Sequence, residues 1–206
     1  GVESDFGRLQ GGFPVVPALA TLAFDGRRGS YFRGELLTAL EILDEGHVKV
    51  GDFMGSWAGA MGQCQFMPSS FARHAIDFDG DGRRDIWNSK ADVFASAANY
   101  LAQSGWQERY IWGRRVRLPE GFDVEATGLE VKRPLSQWQV RGVRRADGQD
   151  LPREPDLQAA VVLPDGPEGP AFVVYRNFEV LMTWNRSIYF ATAVGILADR
   201  LIGIAG

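Results

Sequence analysis

A change of apolar period at Trp106 narrows the fold more than any other feature of this chain. Before it, three- and four-residue spacings predict helices. Residues 31–45 (YFRGELLTALEILDE) place Phe32, Leu36, Leu37, Leu40 and Leu43 on one face. Short helices are expected after Pro68. In residues 89–103, Ser89 can cap the first turn with Asp92 three residues on, and Gly105 follows the last periodic position, so a helix carrying Val93, Phe94, Ala97, Tyr100 and Leu101 is expected. After Trp106 come short alternating runs at 112–118, 138–143, 159–163 and 171–175, separated by Pro- and Gly-bearing turns, which read as a small antiparallel sheet. Helical spacing returns from Glu179, with Ser187 as a cap before Tyr189, Ala193, Ile196, Leu197 and Leu201. That last helix is apolar enough to need burial and is expected to pack back on the first helical region. The expected class is therefore α+β, predominantly helical: a core at 1–106, a small β-rich insertion at 107–178, and C-terminal helices at 179–206.

The bulk composition excludes several functions. A net charge of −4 with interleaved signs provides no broad basic surface for nucleic acid. The most apolar stretch, 191–206, is interrupted by Asp199 and Arg200 and falls short of the roughly 20 apolar residues that span a bilayer. Cys64 is the single cysteine, so neither an intrachain disulfide nor a thiolate zinc cluster can form. An export signal or lipid anchor would have to lie ahead of Gly1, and a monomer is expected.

Three segments carry chemistry. In GVESDFG, Glu3 lies between Val2 and Phe6 in a stretch bounded by glycines. If the fold buries that carboxyl its pKa can rise, as a general acid near neutral pH requires, although a glutamate in such a place is also an ordinary cap or solvated residue. The run GSWAGAMGQCQFMPSSF, residues 55–71, is rich in small residues and includes Gln63 and Gln65. It can let backbone approach a ligand closely, or use Gly59 and Ala60 simply for packing. The third, DFDGDGRRDIWN at 77–88, fits a twelve-residue EF-hand loop with Asp77, Asp79 and Asp81 at positions 1, 3 and 5, Gly82 at 6, the Arg83 carbonyl at 7 and Asp85 at 9. Asn88 replaces the bidentate glutamate at position 12, which predicts weakened calcium affinity and a structural rather than catalytic ion.

The order and spacing of these segments, together with LATLAF, GRRGSYFRGEL, AANYLAQSGW and WNRSIYFATAV, resemble the lytic murein transglycosylases of the membrane-bound type B class. The resemblance frames nearly the whole chain except roughly 107–178. It implies a lysozyme-like catalytic core, a periplasmic or outer-membrane-associated setting, and cleavage of the β-1,4 bond between N-acetylmuramic acid and N-acetylglucosamine without water. It further implies that Glu3 serves as both acid and base. Ser56 would bond Glu3 or the substrate acetamido group, and Gln65 with the Phe66 and Met67 backbone would line the sugar groove. Tyr100 would meet a sugar near the cleavage point. Where the family often has Tyr-Asn this chain has Trp184 and Asn185, so a phenol is replaced by an indole that donates but cannot accept. Arg27 and Arg28 could meet acidic peptide stems or form a solvated turn. The implied partners are peptidoglycan strands and, beyond them, proteins of cell-wall synthesis or secretion; no organic cofactor is implied.

Rival readings are a water-using muramidase, for which Asp5 is the nearest second carboxylate, and a catalytically inactive peptidoglycan-binding module. A calcium sensor is disfavoured by the single loop.

Overall fold

The computed structural model describes residues 3–154 and 156–203. Gly1 and Val2 of the glycine-bounded motif, and the last three residues of the expected C-terminal segment, lie outside the described residues. The chain forms two compact units, 1–103 and 104–206. Among the described residues the secondary structure is the mixed α+β class expected.

In the first unit a two-stranded antiparallel pair, β1 (Phe13–Pro14) and β2 (Met54–Gly55), sets Phe13 opposite Gly55. Four helices follow the chain: α1 (Val15–Phe24), α2 (Gly29–Asp44), α3 (Pro68–His74) and α4 (Lys90–Gln103). Pro17 falls in the first turn of α1, where its missing N–H breaks no helical bond. Pro68 opens α3 for the same reason.

The helices expected at 31–45 and 89–103 are present, but each turns a different stripe inward from the one its apolar residues suggested. In α2 the buried residues are Glu35, Ala39 and Ile42, while Leu37 and Leu40 are exposed. The Glu35 carboxylate accepts hydrogen bonds from the Ser69 backbone N–H at 2.9 Å and the Ser69 hydroxyl at 2.7 Å. It thereby satisfies the first turn of α3, for which Met67 supplies no side-chain cap. In α4, Asp92, Val93 and Ser96 are buried and Phe94 faces solvent. Ser96 Oγ accepts from Ile76 N, and Asp92 accepts from Phe78 N and Asp85 N. Polar residues turn inward in both helices because neighbouring loops present backbone donors that need acceptors.

The second unit is built on a five-stranded antiparallel sheet ordered β4-β6-β7-β3-β5, with β3 (Gly113–Arg117), β4 (Arg133–Pro134), β5 (Arg144–Arg145), β6 (Gln158–Val162) and β7 (Ala171–Val174). Its helices are α5 (Leu135–Val140), α6 (Arg176–Trp184) and α7 (Ile188–Leu201). The strand expected at 138–143 is instead helical through Val140. Leu135 and Trp138, three residues apart, point together into a core with Val116, Val143, Val161 and Val173, and the Trp138 indole donates to the Ala159 carbonyl at 2.9 Å. Val140, which seemed to continue an alternation, is exposed.

Ser187 caps α7 as expected, accepting from Phe190 N at 3.2 Å. The buried face of α7 is Ala191, Thr192 and Gly195, however, while Tyr189, Ala193 and Leu201 are exposed. A Cβ on Gly195 would lie 2.4 Å from the Trp112 ring, so only a glycine lets the helix approach that indole. Trp112 Nε1 also donates to Asp199 at 3.0 Å, one helical turn further on.

Candidate active site and acidic loop

Glu3 is half-buried and begins a tight turn whose geometry is enforced from several directions. Its neighbour Ser4 is buried, donates to the Gln63 carbonyl at 2.9 Å and accepts from Gly7 N at 3.2 Å. Asp5 and Phe6 are both left-handed, with φ of 44° and 54°, a conformation non-glycine residues adopt only when their surroundings hold them there. The hold comes from an amide lattice. Gln10 Nε2 donates to the carbonyls of Gly7 and Trp87, Gln63 Nε2 donates to Trp87 O, and Gln65 Nε2 donates to the carbonyls of Gln10 and Gly62. Asp5 is exposed and pairs with Arg8 at 3.5 Å.

The Gly-rich run lies against this turn. At Gly11, φ is +98° and a Cβ would fall 2.0 Å from the Gly55 carbonyl oxygen and 2.5 Å from Ser56 N, so the segment after Glu3 touches the segment bearing Ser56 backbone to backbone. Ser56 Oγ accepts from the N–H groups of Ala58 (3.3 Å) and Ala60 (3.0 Å), which leaves its own O–H to be donated. Trp57 beside it is 66% exposed. Gly59 packs as the structural reading of this run had it, with a Cβ position 2.4 Å from Leu19 Cδ2. We expect Gly11→Ala to cost about 3 kcal/mol and to depress activity by forcing the two segments apart, as checked by chemical denaturation alongside turnover. A variant of wild-type stability would refute the close approach.

Both donors of the Gln65 amide are committed to carbonyls, so its side-chain oxygen is the group left for a ligand. Phe66 is buried, Met67 half-buried, and the Phe66 ring lies 5.7 Å from that of half-buried Tyr100. His74 packs edge-on to Tyr100 at 4.8 Å, and its proton affinity is lowered first by burial and then by Arg73. Burial pushes the Cys64 thiol up to about 12, which makes it a packing residue rather than a nucleophile.

The first unit thus brings the turn that follows Glu3, the Ser56 loop and Gln65 into one hydrogen-bonded and packed lattice, and packs the Phe66 ring against Tyr100. Arg27 and Arg28 are exposed in the α1–α2 turn, where Arg28, with φ of 60°, stacks its guanidinium 4.4 Å from the Tyr31 ring. Trp184 and Asn185 end α6 in the second unit; Trp184 is half-buried and Asn185 exposed. Sequence reasoning missed Ser4 and Gln10, whose partners lie as far as 59 and 77 residues away and carry no local signal.

The acidic loop differs in detail from a twelve-residue EF-hand. Carboxylates of Asp77, Asp79 and Asp92 lie within 4.8 Å of one another, a set of hard oxygen donors suited to a calcium-like cation. Asp92 lies beyond the expected loop, and its place three residues after Ser89 read as helix capping. Asp92 N does donate to Ser89 Oγ at 3.3 Å, while the Asp92 side chain turns back to the loop amides. Asp81 is engaged instead by Arg83, whose side chain and backbone hydrogen bonds hold that carboxyl below its ordinary value. Asp85 accepts from Trp87 N and Asn88 N, and the Asn88 amide lies over the Asp85 carboxylate. The Asp81 and Asp85 carboxylates are thus engaged by Arg83 and by the Trp87 and Asn88 donors rather than grouped with Asp77, Asp79 and Asp92.

Comparison with known proteins places this architecture. The family described as the transglycosylase SLT domain matches residues 1–199. Membrane-bound lytic murein transglycosylase B of Escherichia coli (strain K12) is 38% identical over 160 residues, 71% of this chain and 44% of that protein. The crystal structure of SltB3 from Pseudomonas aeruginosa in complex with NAG-anhNAM-pentapeptide superposes with a TM-score of 0.93 at 48% identity, over 98% of this chain and 54% of that one. Escherichia coli Slt35 in complex with calcium superposes at 0.82 with 33% identity, over 97% of this chain and 62% of that one. The chain thus spans about half the length of the first two of these proteins. With a match running from the Glu3 turn through the acidic loop and on into α7, the chain belongs to the transglycosylase SLT domain family.

Proposed function

We propose that this chain is the catalytic part of a periplasmic lytic transglycosylase that cleaves the β-1,4 bond between N-acetylmuramic acid and N-acetylglucosamine and leaves 1,6-anhydromuramic ends. The observation that carries the reading is the 48% identity, over 98% of this chain, to a protein crystallised with NAG-anhNAM-pentapeptide. The half-buried position of Glu3, next to Ser4 whose hydroxyl is anchored on the Gln63 carbonyl, supports it.

In this mechanism the Glu3 carboxyl protonates the glycosidic oxygen as the bond from C1 to that oxygen breaks. The substrate acetamido group stabilises the positive charge at C1, and Ser56, with a free O–H, orients either that group or Glu3. The Glu3 carboxylate then removes the proton of the muramyl C6 hydroxyl while O6 bonds to C1. The acid is regenerated and no water is consumed. Because the attacking oxygen belongs to the sugar itself, capture needs no second enzymic carboxylate, which distinguishes this route from paired-carboxylate hydrolysis. Gln65 and the Phe66–Tyr100 pair line the groove, Asn185 and Trp184 are further sugar-binding residues in this reading, and Arg27 and Arg28 meet acidic stems.

A calcium ion held by Asp77, Asp79 and Asp92 is part of the same proposal. It rests on their clustering and on the relative crystallised with calcium. The ion would neutralise three close carboxylates and tie the loop to α4, a structural service. No described helix is long and apolar enough to cross a membrane.

Mass spectrometry of a peptidoglycan digest tests the reaction. We expect products one water lighter than hydrolytic muropeptides and resistant to borohydride; reducing muramic ends would instead establish a hydrolase.

A further inference from the structure

The second unit contains a cavity of about 630 Å³ that the proposed chemistry does not use, within the size range of small-ligand sites. Trp112, Phe172 and Ile196 give it an apolar wall, and Arg115, Arg145 and Arg200 bring positive charge to its lining. Trp112 and Phe172 pack against each other, their rings 5.9 Å apart. Arg145 shares its charge with Asp147 at 2.8 Å, but the side chains of Arg115 and Arg200 have no hydrogen-bond or ion-pair partner among the described residues.

The adjoining ribbon sharpens the point. β3 and β5 place Arg117 directly opposite Arg144, a like-charge cross-strand pair that destabilises a sheet, in a chain whose net charge is −4. Arg117 likewise has no side-chain partner among the described residues. Arg115 and Arg200 in the cavity lining are what an anionic ligand would neutralise, whereas Arg145 is already paired with Asp147 and Arg144 of the adjoining ribbon with Asp150; guanidinium groups suit carboxylates in particular. Asp199 also lines the cavity, and one of its oxygens accepts from the Trp112 indole at 3.0 Å. A pocket with cationic, apolar and anionic elements suits a peptide with free carboxylates and an amine better than it suits a simple anion.

We propose that this cavity docks a carboxylate-bearing stem peptide of the glycan polymer, with Arg115, Arg145 and Arg200 taking its carboxylates, Trp112 and Phe172 its apolar side chains, and Asp199 its amine. The proposal deepens the transglycosylase reading and rests on it for the identity of the peptide.

The test is a titration of isotope-labelled protein with a synthetic stem pentapeptide, with inorganic phosphate in a parallel arm. The Trp112 indole N–H and the β3 amides should shift with peptide. The double variant Arg115→Ala/Arg200→Ala should weaken peptide binding about tenfold, the sum of two partly screened charge-assisted contacts, while its circular dichroism stays that of wild type. The ratio of turnover on stem-bearing peptidoglycan to turnover on amidase-stripped glycan strands should also fall in the variant. Shifts confined to other surfaces, equal binding by phosphate, or unchanged peptide affinity in the variant would each overturn the docking site. Peptide binding at Trp112 by a protein that releases no anhydro products would instead sink the transglycosylase reading and leave this one standing.

Discussion

Glu3→Gln is expected to lower the release of anhydromuropeptides by roughly a thousandfold while leaving the fold intact, because general acid–base catalysis by one positioned group contributes about 10²–10⁴ in rate. The amide preserves the size of the side chain and its capacity for hydrogen bonding, but it can neither give a proton to the glycosidic oxygen nor take one from the C6 hydroxyl. In the proposed mechanism both halves of the reaction depend on the same group, so no second carboxylate should rescue it. Asp5 is a poor substitute, since it is exposed and engaged by Arg8. The measurement is product release from purified sacculi together with thermal denaturation. A variant that keeps more than a tenth of wild-type turnover would show that the proton is handled elsewhere. A variant that unfolds would show that Glu3 is structural, and the lattice around Ser4, Gln10 and Gln63 makes that outcome unexpected.

Asp92→Ala is expected to destabilise the protein by about 3 kcal/mol and to abolish any rise of the melting temperature with calcium. Asp92 is fully buried, and its two oxygens accept from Phe78 N and Asp85 N, so its removal strips acceptors from two loop amides and takes one carboxylate from the cluster. Asp81→Ala provides the contrast. Its carboxylate is turned to Arg83 at the surface, and its loss should leave the calcium response in place. Melting curves with added calcium and with a chelator decide between them. If the Asp81 variant loses the response and the Asp92 variant keeps it, the ion is held in the ordinary twelve-residue arrangement and not by the cluster described above.

These two predictions differ in how far they could be read from the amino-acid order. Glu3 was a candidate because its motif and the segments that follow it resemble those of the lytic transglycosylases, although nothing local showed how the turn is held. Asp92 was visible too, but in the wrong role. A Ser with an Asp three residues on, ahead of an apolar run, is a capping pattern, and whether the carboxylate folds over its own helix or reaches back to a preceding loop depends on where that loop's donors lie. Trp138 shows the same limit for secondary structure. A short run with apolar residues two apart is compatible with strand or helix, and the Ala159 carbonyl that receives its indole N–H is 21 residues away.

The sequence by itself determined the α+β class, the positions of α2, α4 and α7, three of the strands and the Ser187 cap, because those depend on periodicity and on contacts within a few residues, and its motifs pointed to the family. Only the tertiary structure decided which stripe of each helix is buried: Glu35 rather than Leu37, Asp92 and Ser96 rather than Phe94, Gly195 rather than Tyr189. The reason is that a buried backbone donor without an acceptor costs more than an exposed leucine, so the interior is arranged around polar groups whose partners are distant in the chain.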